Sequence, residues 1–187
     1  MAIEWEARVN RRLTVADVVE QTERFLADLL PVPGRSFTVS IHEATAERLR
    51  GGTSRPVVDA ELTTVRDPFG AVESRSCDLV FEILELEAAA FVHLAEHIPR
   101  DADPETGMFA FVSSSRTNVS QVLSIATVAA FAKCGDSEVV DDSLRFGESR
   151  CVPPDRLVKK LAADGAVSTV EDAAVSVLRK TRLRSDL

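Results

Sequence analysis

The run Ser113-Ser114-Ser115-Arg116-Thr117-Asn118 places five hydroxyl or amide side chains and a guanidinium between a β-prone segment and the most apolar helical segment of the chain. Free backbone N–H groups collect at a helix N-terminus, so this turn is a candidate cradle for a phosphate or carboxylate. Ser, Thr and Asn are also ordinary turn and cap residues, and that reading needs no ligand. Downstream, Asp141 and Asp142, with Asp136 and Glu138 nearby, form an acidic cluster whose oxygens suit Mg²⁺ or Ca²⁺. The cluster does not follow an EF-hand loop, and a solvated acidic loop is the plainer reading.

A third constellation is His93-Leu94-Ala95-Glu96-His97. It fits H-x-x-E-H, in which two imidazoles on one helix face reach a single zinc and the glutamate serves as general base. Glu171, well downstream, is available as a third ligand. At about 100° per residue, however, Ala88, Phe91, Leu94, Ala95 and Ile98 share one helix face, and His93, Glu96 and His97 fall on the opposite, polar one. Pro99 then stops the helix. Histidines on a solvated helix face are the plainer reading. No metal is expected, and His93, His97 and Glu171 are the residues to test.

Neither GxxxxGK[ST] nor GxGxxG occurs, so nucleotide binding has no motif support and no cofactor is expected. No G-x-S-x-G elbow is present, and nothing local ties His42 to a serine or cysteine nucleophile.

With 187 residues the chain can bury a sizeable core, and 45% hydrophobic with 28% charged residues describes a folded domain. A formal net charge of −8 argues against a nucleic-acid partner, because neutralising phosphates requires a basic face. It suits an ordinary soluble protein, or one that meets a basic partner. Cys77, Cys134 and Cys151 are odd in number and widely spaced, which favours reduced thiols. The first 30 residues lack an apolar signal core, and Val122–Ala132 is too short to span a bilayer. The expectation is a cytoplasmic protein without a membrane partner.

The elements that must position these residues follow from periodicity. Ile3, Trp5, Ala7 and Val9 alternate with polar residues as in a half-buried strand. Thr14 and Asp17 form a capping box ahead of a helix whose stripe is Val15, Val18, Val19, Thr22, Phe25, Leu26 and Leu29. Strands are predicted over Ser36–Glu43, Val57–Arg66, Cys77–Leu86 and Met108–Val112, with a short one over Glu138–Val140. Helices are predicted over Ala44–Arg50, Glu87–Ile98, Asn118–Lys133 with Asn118 as N-cap, Asp155–Ala163, and Thr169–Leu183. Arg100–Gly107 reads as a surface loop. Trp5, Phe37, Phe69, Phe81, Phe91, Phe109, Phe111, Phe131 and Phe146 mostly take inward phases and read as core.

Together these predict one α+β domain over residues 1–187. Its sheet is mostly antiparallel, of four to six strands, with helices packed mainly on one face.

From Met108 to about Leu144, a strand ending in a Ser-rich turn, a long Ala-rich helix and an acidic Val-Val-Asp-Asp strand resemble small α+β immunity proteins of bacterial polymorphic-toxin systems. The resemblance implies a non-enzymatic protein that acts through a protein–protein surface, and it transfers no residue role. Two other readings stand beside it. One is a metal-dependent hydrolase built on His93 and His97. The other is a homo-oligomeric structural subunit, a homodimer being the simplest case.

Overall fold

The computed structural model describes residues 4–10, 13–43, 76–97, 107–141, 150–165 and 167–181. Among the described residues, seven strands form one antiparallel sheet in the order β2-β3-β4-β5-β1-β6-β7. They are β1 (Glu4–Val9), β2 (Ser40–Glu43), β3 (Ser76–Ile83), β4 (Ala88–His97), β5 (Gly107–Ser114), β6 (Val139–Val140) and β7 (Cys151–Val152). The helices are α1 (Val15–Leu29), α2 (Asn118–Cys134), α3 (Pro154–Leu161) and α4 (Val170–Lys180). The chain is thus a mixed α+β domain with helices packed against the sheet, as expected.

Helix α2 is the centre of the molecule. Val119, Ser120 and every residue from Val122 to Ala132 are buried. A helix that is apolar all round must be covered all round. One side lies on β1, β4 and β5, and the other sides meet α1, α3 and α4. The sheet face beneath it is built from Trp5, Ala7 and Val9, from Ala88, Ala90, Val92 and Leu94, and from Met108, Ala110 and Val112. Ala7, Ala90 and Ala110 are fully buried, and Ala7 pairs directly with Ala110. Small side chains there let an alanine-rich helix approach the sheet at close-packed distance.

The capping signals act as read. Thr14 and Asp17 form the capping box of α1, and the Thr169 hydroxyl accepts from the Asp172 N–H of α4. The cap of α2 is Thr117, one residue earlier than expected, with its hydroxyl accepting from the Ser120 N–H.

Two expectations are corrected. Residues 88–97 form strand β4, not a helix, hydrogen-bonded to β3 on one side and β5 on the other. AAAFVHLAEH satisfies both periods, and two partner strands supply ladder bonds that outweigh the helix propensity of its alanines. Strand β2 pairs directly with β3. Finally, β3 ends at Ile83 and runs into a 3₁₀ turn, Leu84–Leu86, where Glu85 pairs with Arg35 at 3.4 Å. The helix predicted over 44–50, the strand over 57–66 and the loop over 100–106 lie outside the described residues.

Candidate functional site

The Ser113–Asn118 turn does collect hydroxyls at the N-terminus of α2, but it uses them internally. Ser120, fully buried one turn into the helix, accepts from the Ala89 N–H at 3.1 Å. Its hydroxyl also shares hydrogen bonds with Ser115 at 2.6 Å and Thr117 at 2.7 Å. The Ser115 N–H donates to the Ala89 carbonyl, and the Ser124 hydroxyl donates to the Ser113 and Ser120 carbonyls. The Asn118 amide donates to Glu171 of α4. Arg116 is exposed beside this network. The arrangement clamps the β5–α2 junction to the start of β4. That is the structural use of turn and cap residues.

The histidine pair loses its geometric basis. On β4, residues four apart lie on the same sheet face but about 13 Å from each other, against about 6 Å along a helix. One metal cannot bridge that span. Glu171 sits on α4 with Asn118 as its partner. No group of three metal-ligating side chains occurs among the described residues. The acidic cluster is also divided. Asp141 is buried and its N–H donates to the Arg150 carbonyl at 2.7 Å, whereas Asp136 and Glu138 are exposed. Asp142 lies outside the described residues.

The structure instead brings together residues that sequence reading assigned to the core. Side chains alternate across a strand, so the register sends Phe91, His93, Phe109 and Phe111 to the sheet face turned away from α2. Phe91 is 37% exposed, while Phe109 and Phe111 are half-buried. Phe109 and Phe111 stack with centroids 6.2 Å apart, and His93 stacks on Phe111 at 6.3 Å. Arg8, opposite Phe109 across the β1–β5 ladder, holds its guanidinium carbon 6.0 Å from that ring's centroid. Asp78 Oδ1 lies 2.6 Å from His93 Nδ1 and faces it across the β3–β4 ladder. Phe91 faces Val80 in the same ladder, so Asp78 and Glu82 are its two diagonal neighbours. Glu82 in turn lies 3.3 Å from His42 Nε2.

These contacts make an aromatic strip with a carboxylate margin. It can bury apolar surface, stack planar groups and pair with cations. A signal was available: Phe109 and Phe111 share a phase opposite to Ala110 and Val112, and one of the two sets had to face away from the helix. Size misled, because the smaller residues are the ones beneath α2. Phe69 and Phe146 lie outside the described residues.

No helix among the described residues is long and apolar enough to cross a membrane. No protein-family model matches the chain. No curated protein matches it, and no solved structure does.

Proposed function

We propose that this chain is a non-enzymatic binding protein that acts through a protein–protein surface, and that the surface is the sheet face bearing Phe91, His93, Phe109 and Phe111. The observation that carries the reading is Phe91, a large apolar side chain 37% exposed on the same sheet face as the stacked Phe109 and Phe111 rings, with Phe111 as its diagonal neighbour. Apolar patches of this kind, rimmed by polar groups, are what protein interfaces desolvate, and aromatic residues dominate their energetics. A catalytic reading draws no comparable support, since the hydroxyl turn is committed to structure and the histidines are spread along a strand. An immunity-like role, in which the bound protein is silenced by occlusion, is the form of this function that the Met108–Leu144 resemblance suggests.

The test compares the wild-type chain with Phe91→Glu as bait in the same cell lysate, with bound proteins quantified by mass spectrometry and folding checked by circular dichroism. A protein retained by the wild type and lost from the folded variant supports the reading. Identical retained sets would refute it.

A further inference from the structure

We infer that the partner meets this face with arginine: a guanidinium of a basic protein segment lies over the Phe91 ring and pairs with Asp78. The inference rests on the reading of the face as a protein-docking surface and adds the chemistry of what docks there.

The first argument is charge. The chain carries a formal net charge of −8. Both diagonal neighbours of Phe91 on β3, Asp78 and Glu82, are carboxylates. Asp78 is 57% exposed at its side chain, and it meets His93 through Oδ1. A carboxylate accepts at both oxygens, so Oδ2 remains a geometric acceptor for a second donor. A partner bringing negative charge to this corner meets repulsion, and one bringing positive charge meets attraction.

The second argument is that the fold already builds the same contact within itself. Arg8 lies over the Phe109 ring, with Glu6 as the diagonal neighbour of Phe109 on β1. An aromatic ring flanked diagonally by a carboxylate is thus seen holding a guanidinium on this very face. Phe91, with Asp78 and Glu82 beside it, repeats the pairing of ring and diagonal carboxylate on the neighbouring strand, with Val80 in place of the arginine, and is the more exposed of the two rings. Arginine suits it better than lysine, because a planar, weakly hydrated guanidinium can stack on a ring while its N–H groups fork onto a carboxylate.

The experiment is selection of a displayed library of random linear peptides on the immobilised wild-type chain, with Phe91→Ala and Asp78→Asn as parallel targets. Phe91 is exposed and Asp78 is a surface residue, so both variants are expected to fold, which circular dichroism checks. The inference expects Phe91-dependent peptides enriched in arginine, weakened roughly tenfold by either substitution and also weakened when their arginine is replaced by lysine.

Phe91-dependent peptides without arginine enrichment would overturn the inference and leave the docking surface standing. If no enriched peptide depends on Phe91, the inference and the docking reading fall together. A wild-type chain that self-associates and is made monomeric by Phe91→Ala would overturn it by giving the face to a second copy. A single-stranded oligonucleotide that binds the wild type and not Phe91→Ala would overturn it in favour of base stacking.

Discussion

Gly135 and Val9 touch through their backbones: a Cβ at Gly135 would lie 3.0 Å from the Val9 Cα. It would also lie 2.8 Å from the Phe131 carbonyl oxygen and 3.1 Å from that of Arg8. The Asn10 N–H donates to the Gly135 carbonyl at 2.8 Å, and the Asn10 side-chain amide donates to the Asp136 carbonyl at 3.1 Å. The C-terminus of α2 is therefore seated directly on the end of β1. With φ of −82°, Gly135 has a backbone conformation open to any residue, so the requirement is for space.

Gly135→Ala should accordingly destabilise the chain by about 2–3 kcal/mol, since all three of these neighbouring atoms are backbone and cannot swing aside. Urea unfolding reads this as a lower midpoint at unchanged slope. A midpoint equal to wild type would show that β1 and α2 separate without cost.

Thr127 is fully buried in the middle of α2, and its hydroxyl has no hydrogen-bond partner among the described residues. Valine has nearly the same shape without the polar group. Thr127→Val should stabilise the fold by about 1 kcal/mol, raising Tm by roughly 2–4 °C for a chain of this size. A fall in Tm would mean that the hydroxyl is satisfied in solution.

The hydroxyl cluster at the β5–α2 junction separates structure from ligand binding. Ser120→Ala removes the acceptor of the Ala89 N–H and the shared partner of Ser115 and Thr117. It should cost about 1–3 kcal/mol, whereas Arg116→Ala, at an exposed side chain, should stay within about 0.5 kcal/mol. Inorganic phosphate should leave the Tm of the wild type unchanged, because the hydroxyls already bond one another. A phosphate-dependent rise in Tm that Arg116→Ala abolishes would return the turn to the role of an anion site.

Zinc provides the check on the histidine pair. Calorimetric titration of the wild type and of the His93→Ala/His97→Ala variant should give indistinguishable isotherms, because one ion cannot span four strand residues. A wild-type site at least tenfold tighter than that of the variant would contradict the strand geometry.

Much of the architecture was legible because its signals are local. The Thr14–Asp17 box, the stripe from Val15 to Leu29, the alternation of Trp5, Ala7 and Val9, and the apolar run of α2, interrupted only by Ser124 and Thr127 between Val122 and Ala132, each carry their meaning within a few residues. A helix cap is satisfied by a neighbour three residues away, and a helical stripe announces one buried side. Those patterns were enough to place an antiparallel sheet under helices.

Tertiary structure decided residues 88–97 and, with them, the candidate site. Their pattern fits a helix and a strand alike, and ladder bonds from β3 and β5, both distant in sequence, resolve it. That choice moved His93 and His97 from one helix turn apart to a strand span apart, and it turned Phe91 away from the core. The facing of β5 was settled the same way. Both of its phases are apolar, and only the close approach of α2 selects Ala110 and Val112 for the inside, leaving Phe109 and Phe111 to the far face. Which side of a two-sided apolar strand is buried depends on what packs against it, and that is a property of the assembled sheet rather than of the strand.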